Sequence, residues 1–168
     1  MKLFRNLLLA SVLFLGFMTA NAQSKVAHIN TQELVAAMPE TKQMQEELKK
    51  VAQAYDTEYK SQGTALQAKV QKYDQEAPTQ TDAKNAERMQ EVQDLQKKLQ
   101  VYAQTAQQEL AKKQEDLYKP IGEKAKKAIE DVAAELGLEY VFDSSPGAGL
   151  VVYKGQDLMA ATKTKLGI

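Results

Sequence analysis

The chain lacks cysteine and tryptophan and has a single histidine, His28, among its 168 residues. Without cysteine it can form no disulfide and carry out no thiol chemistry. With no second histidine or cysteine to complete a site, a metal-binding or catalytic role for His28 is not expected. The sequence also lacks a glycine-rich phosphate loop and a G-x-S-x-G nucleophile motif. We therefore predict that the protein is not an enzyme, with no catalytic residues, no metal and no cofactor.

Residues 1–22 have the pattern of a cleavable export signal. Lys2 and Arg5 precede an apolar run at 7–17, and Ala20-Asn21-Ala22 offers small residues for cleavage before Gln23. The run is too short for an ordinary transmembrane helix. An uncleaved anchor is the alternative. We predict a protein exported to the periplasm.

Neither the mature composition nor its charge favours a large globular core or a polyanionic partner. Three of the four phenylalanines lie within residues 1–22, which leaves little aromatic bulk in the mature chain. Loss of Lys2 and Arg5 with the signal leaves 20 basic and 22 acidic residues, a formal charge of −2. This balance argues against nucleic-acid binding and gives no general attraction to anionic lipid.

Short strands are predicted near both ends of the mature chain. Residues 26–29 alternate as a strand, and a short helix over about 32–37 follows. Further strands are predicted at Leu138–Phe142 and Leu150–Tyr153, and a short amphipathic helix at Asp157–Leu166. So small a β-rich body is marginal alone, and sharing a core between chains would stabilise it.

Two long helices with narrow apolar stripes are predicted between these strands. The first begins at Glu40; the second begins near Asp82 and ends at Gly137, a typical C-terminal cap. Pro78 blocks continuation of the first helix. An antiparallel hairpin with its tip near 77–82 lets each stripe cover the other, whereas one continuous kinked helix is the alternative. An arm of about 38 residues per helix would be roughly 55 Å long.

The predicted fold class is α+β, a small β-rich oligomerisation body carrying a long antiparallel α-helical hairpin arm. A kink or hinge is predicted at Pro120, eased by Gly122, where the arm meets the body. The predicted division is a signal peptide at 1–22, a body formed by 23–39 and 119–168, and an arm at 40–118.

The mature chain resembles the Skp/OmpH family of periplasmic chaperones. The resemblance rests on KVAHINTQELVAAMPE, on KPIGEKAKKAIEDVAAELGLEYVFDSS and on GLVVYKGQDLMAATKTKL, with two long helices between the first two. It implies a homotrimer whose arms surround a cavity, and an ATP-independent holdase that binds unfolded outer-membrane β-barrel proteins. The best-known members are strongly basic, whereas this arm is balanced in charge, so a lipopolysaccharide site is not transferred to it.

Two groups of residues are predicted to make the functional contacts. Arm-stripe residues could contact unfolded partners, although a stripe at helical spacing can instead fill the seam between the arm helices; they are Tyr55, Tyr59, Leu66, Val70, Tyr73, Met89 and Tyr102. The strand residues predicted to form the oligomer core are Val26, Ile29, Leu138, Val141, Phe142, Val151 and Val152. The alternative function is a structural or adaptor protein whose arm docks one folded envelope partner.

Overall fold

The computed structural model describes residues 25–168, so the predicted signal peptide lies outside the described residues. In chain order the elements are β1 (Val26–Ile29), α1 (Thr31–Ala37), α2 (Pro39–Glu76), a 3-10 turn (Ala77–Thr79), α3 (Asp82–Glu135), β2 (Tyr140–Asp143), β3 (Gln156–Asp157) and α4 (Met159–Leu166). Long helices accompany one small three-stranded sheet. The predicted α+β class is confirmed.

Helices α2 and α3 form an antiparallel hairpin. Ion pairs join Glu40 to Lys124, Glu47 to Lys113 and Lys69 to Glu91, so residue numbers rise along one helix as they fall along the other. The alternative of one continuous helix is wrong, because the chain reverses and the two helices lie side by side.

The chain reverses at the 3-10 turn that contains Pro78. The side chain of Thr81 caps α3 by accepting a hydrogen bond from the Lys84 N–H at 3.3 Å. The Asn85 amide donates to the Ala77 carbonyl at 3.1 Å and ties the turn to the second helix. Proline and the polar cap together fix where the first helix stops and the second starts.

The sheet has the strand order β2-β1-β3, and all its pairs are parallel. Val26 is paired with Tyr140 and His28 with Phe142, so these residues share one face. Ala27 and its partner Val141 lie on the opposite face, towards the helices. Among residues 25–168, helices therefore cover one face of the sheet and leave the other face open.

The core lies between the covered sheet face, α1, α4 and the last third of α3. Leu34 and Leu158 are completely buried there, and burial of each such side chain is worth about 1.5–3 kcal/mol. The buried cluster consists of Ala27, Ile29, Leu34, Met38, Ile121, Ala125, Val132 and Leu158. Residues distant in sequence thus close one small core at the base of the arm.

Two strand predictions need correction. β2 starts at Tyr140 rather than Leu138, because the Leu138 N–H donates to the Ala133 carbonyl at 2.9 Å and still caps α3. The strand predicted at Leu150–Tyr153 is wrong for the single chain, whose third strand is Gln156–Asp157. β1 is already flanked by β2 and β3, so residues 150–153 do not pair with it.

Two helix predictions also change. The last helix starts at Met159 instead of Asp157, because Asp157 belongs to β3 and its carboxylate accepts the Met159 N–H at 2.8 Å. Pro120 lies inside α3, which is one helix from Asp82 to Glu135. The predicted junction between arm and body is therefore not a break in secondary structure, and a kink or hinge at this proline stays a prediction.

Candidate functional site: the helical arm and the open sheet face

Most predicted contact residues of the arm lie in the seam between its helices. The rings of Tyr55 and Tyr102 meet edge to face with centroids 6.0 Å apart. Partial burial raises the pKa of the Tyr102 hydroxyl. Leu66 and Val70 are half-buried, and Gly63 lies opposite Leu99 across the seam. Packing between the helices thus accounts for much of the stripe.

Near the tip, a polar group that we term the tip cluster joins the two helices; it comprises Lys69, Tyr73, Glu76, Arg88 and Glu91. Tyr73 donates to Glu91 at 2.5 Å, and Lys69 pairs with the same carboxylate. Arg88 pairs with Glu76 at 2.5 Å, and its guanidinium lies 4.5 Å from the Tyr73 ring centre. Hydrogen bonds from Lys69 and then Tyr73 lower the pKa of Glu91, and the bond to Glu91 raises the pKa of Tyr73. The cluster pairs its charges internally.

A different set of apolar side chains is exposed on the arm. Of the predicted contact residues, Tyr59 and Met89 are exposed, at 42% and 60%. Val101 and Tyr118, which the stripe pattern did not single out, are 51% and 48% exposed. The sequence signal for Val101 is that it is an apolar residue directly beside the predicted stripe residue Tyr102 and not on the stripe itself. These four residues are the apolar surface that the arm presents to solvent.

The open sheet face and the crossover after β2 carry six of the exposed large apolar residues of the body. Tyr140 and Phe142 stack with ring centroids 6.5 Å apart, and the Tyr153 ring covers His28 at 4.7 Å. The exposed large apolar residues at the sheet and its crossover are Val26, Tyr140, Phe142, Val151, Val152 and Tyr153. Monomeric proteins rarely leave such a contiguous set uncovered.

The predicted oligomer-core residues divide between this surface and the core of the chain itself. Val26, Phe142, Val151 and Val152 are exposed, the last two at 93% and 72%. Leu138 and Val141 are half-buried against the core. Ile29 is only 1% exposed. Its assignment to an oligomer interface is corrected, because odd-numbered positions of β1 face the helices.

A hydrogen-bond network fixes the sheet edge to α1. The Asp143 carboxylate accepts from the Thr31 hydroxyl at 2.7 Å, the Ser145 hydroxyl at 2.6 Å and the Ser145 N–H at 2.9 Å. Burial alone would raise the pKa of Asp143, but bonds from Ser145 and Thr31 outweigh it and lower the pKa to about 2. Asp143 is thus a structural carboxylate held in its charged form.

Within residues 25–168, no group of three or more His, Cys, Asp or Glu side chains is arranged to hold a metal ion. The helices in that range also include none long and apolar enough to cross a membrane. The candidate functional surfaces of the described residues are therefore the exposed apolar side chains on the arm and on the open sheet face.

The fold is similar to that of a solved bacterial protein. A crystal structure at 2.83 Å of a candidate outer membrane chaperone, OmpH-like, from Caulobacter crescentus CB15 matches with a TM-score of 0.75 at 17% identity. The match covers 88% of this chain and 86% of that one. No curated protein matches this chain in sequence.

The sequence also matches a family model, "Outer membrane protein (OmpH-like)", over residues 25–166. The matched range contains the whole hairpin arm, all three strands and the last helix. The resemblance inferred from the sequence motifs is confirmed, and the chain belongs to the family of OmpH-like outer membrane proteins.

Proposed function

We propose that this protein is a periplasmic chaperone that binds unfolded outer-membrane β-barrel proteins and prevents their aggregation without ATP. The observation that carries the proposal is a long, charge-paired arm that exposes isolated apolar side chains, in a chain of the OmpH-like family. The similar Caulobacter protein is itself a candidate outer membrane chaperone. Export through the predicted signal peptide would bring the chain to the periplasm.

The chemistry of the arm suits a partner without fixed structure. Unfolded β-barrel chains expose alternating apolar residues and unpaired backbone, which aggregate when two chains meet. Side chains such as Met89 and Tyr59 adapt to many apolar shapes. Separated contacts, each worth about 1 kcal/mol, would hold such a chain without selecting one sequence.

We further propose a homotrimer whose arms enclose a cavity for the unfolded chain. The uncovered sheet face, with Tyr140, Phe142 and Tyr153 exposed, supplies an apolar surface for assembly. The proposed function involves neither a nucleic acid nor a cofactor. The balanced charge of the arm gives no reason to include binding to lipopolysaccharide or to a membrane surface.

The test mixes the mature protein with a urea-diluted outer-membrane β-barrel protein in the absence of ATP. We expect stoichiometric protein to suppress light scattering from aggregation, and the solution mass to fit three chains plus one β-barrel protein. Unchanged aggregation would contradict the proposal. A pull-down from envelope extracts that recovers one folded partner instead of many precursors would favour an adaptor.

A matched pair of variants tests the arm contacts. Met89→Asp with Val101→Asp removes two exposed apolar side chains, and we expect roughly tenfold weaker retention of the unfolded protein. The control is Gln90→Asp with Gln100→Asp, which adds the same charge at neighbouring exposed polar positions. Equal retention by both variants would exclude Met89 and Val101 as the contacts.

A further inference from the structure

Methionine is the only sulfur-containing residue of this chain. The sequence has no cysteine, so no thiol of the chain itself can consume a peroxide or reduce an oxidised side chain. Export through the predicted signal peptide would place the protein in an oxidising compartment. A thioether that is open to solvent is therefore the sulfur that a peroxide in that compartment would oxidise.

The four methionines among residues 25–168 differ in exposure. Met38 is 1% exposed and belongs to the buried core cluster, against which Met44 and Met159 pack. Met89, on the arm, is 60% exposed. Because access governs how often a peroxide reaches a thioether, oxidation of the folded protein should be concentrated at Met89.

Met89 lines a groove near the tip of the arm. The groove has a volume of about 460 Å³ and lies between the end of α2 and the start of α3. Val70 of α2 and Val92 of α3 line it together with Met89, and Asp74 and Arg88 add charged groups to its lining. The Met89 thioether is thus part of an apolar surface to which both helices contribute, within a groove that also carries polar groups.

Two carboxamides flank Met89 along α3. Asn85 precedes it by four residues and Gln93 follows it by four, so all three lie on one face of the helix, and all three line the groove. A thioether is only a weak hydrogen-bond acceptor, whereas a sulfoxide is polar and can accept from a carboxamide N–H or from water. The oxidised side chain can therefore be solvated where it stands, without opening of the hairpin.

We propose that Met89 is a peroxide-sensitive modification site whose oxidation weakens the hold of the arm on an unfolded protein. A sulfur lone pair attacks one oxygen of the peroxide, the O–O bond breaks and hydroxide leaves. The hydroxide then takes the proton from the oxygen now bound to sulfur, which gives the sulfoxide and water. Sulfur gives up two electrons and the peroxide accepts them. The modification site stands on exposure alone, whereas its effect on binding rests on the proposed function.

Oxidation removes the property that suits Met89 to an unfolded partner. The thioether is apolar, flexible and polarizable, whereas the sulfoxide binds water that an apolar partner must displace. Because the arm has several separate contacts, loss of this one should weaken retention about threefold and not abolish it. The change is reversible, since a sulfoxide reductase can return the oxygen to water while two thiols outside this chain form a disulfide.

The first test treats the mature protein with hydrogen peroxide and follows each methionine by peptide mass spectrometry. We expect Met89 to gain one oxygen at least about tenfold faster than Met38. Unfolding in urea should make the two rates equal, because exposure is their only difference. Equal rates in the folded protein would overturn the modification site. Far-UV circular dichroism checks that the oxidised protein keeps its helices.

The second test compares two variants after the peroxide has been removed. Met89→Leu keeps an apolar side chain that peroxide cannot oxidise, and Met44→Leu is the matched control that leaves Met89 in place. Treated wild type and Met44→Leu should retain an unfolded outer-membrane β-barrel protein about threefold less well. Treated Met89→Leu should be unchanged, and sulfoxide reductases with a thiol should restore the wild type. An equal loss in Met89→Leu would assign the effect to another residue and overturn the proposal.

The outcomes separate this inference from the proposed function. An untreated protein that retains the β-barrel protein, with an oxidised form that retains it equally well, would overturn the effect of oxidation and leave the chaperone function standing. An untreated protein that does not retain it would reject the function and the effect of oxidation together. The oxidation rates of Met89 and Met38 would still decide the modification site.

Discussion

Replacement of Asp143 by Asn tests how the body is held to the start of α1. In the folded protein the pKa of Asp143 is about 2, against an ordinary 3.8. That difference corresponds to about 2 kcal/mol of unfolding free energy at neutral pH. Because the folded pKa is the lower one, this stability is complete above about pH 4 and is lost as the pH falls towards about 2. We expect Asp143→Asn to lose about 2 kcal/mol at pH 7, roughly 4–8 °C in Tm.

The assay is urea denaturation followed by circular dichroism, at a fixed protein concentration and at several pH values. The difference in unfolding free energy between wild type and Asp143→Asn should decrease as the pH falls through the range in which Asp143 takes up its proton. The control is Asp116→Asn, which removes an exposed i,i+4 pair with Lys112 and should have a much smaller effect. If this difference in unfolding free energy stayed constant with pH, the hydrogen bonds to the charged form of Asp143 would not be its cause.

Four further substitutions test the core, a helix cap, a helix interior and the tip. Leu34→Ala empties a fully buried position and should cost about 2–5 kcal/mol in urea denaturation; a loss below about 1 kcal/mol would contradict its place in the core. Gly137→Ala should lower Tm, since its φ is 65°, whereas Gly63→Ala within α2 should raise it; equal shifts would contradict the difference in backbone conformation. Arg88→Met should speed amide exchange around 77–81 with little change in the body; uniform acceleration would show that the tip cluster stabilises the whole chain.

The arm could be predicted from the sequence because its signals are local. Pro78 and the capping Thr81 lie next to each other between two apolar stripes, and together they specify a reversal. Helix ends at Glu76 and Asp82 follow from these residues alone. A stripe 38 residues long leaves little ambiguity about the period.

The strands could not be predicted as well, because each depends on a partner. Leu138 begins the apolar run that predicts a strand, but its N–H donates to a carbonyl at the end of α3. Residues 150–153 have the composition of a strand, yet they pair with no strand of the described chain. β3, at Gln156–Asp157, has little strand propensity and forms because β1 offers it a free side.

The exposure of the candidate contact residues was only partly predictable, because a stripe gives the angle of a residue around the helix but not the width of the seam. Tyr55 and Tyr102 match the stripe and are covered by each other. Met89 matches it and is exposed, whereas its neighbour Arg88 lies over the Tyr73 ring. Which stripe residue is exposed therefore depends on the size of the side chains opposite.

Charge pairing inside the arm bears on how it can attract a partner. Glu47 meets Lys113 and Glu76 meets Arg88, each across the two helices. Such pairs contribute little to stability when exposed, but they cancel each other's field within a Debye length of about 8 Å. A long-range attraction to an anionic surface would need unpaired cations in excess, which the balanced sequence does not supply. In the function proposed above, exposed apolar residues such as Met89 and Val101, and not the paired charges, would provide the binding free energy. Such a division would suit the proposed function, in which the arm holds many apolar sequences and releases each of them.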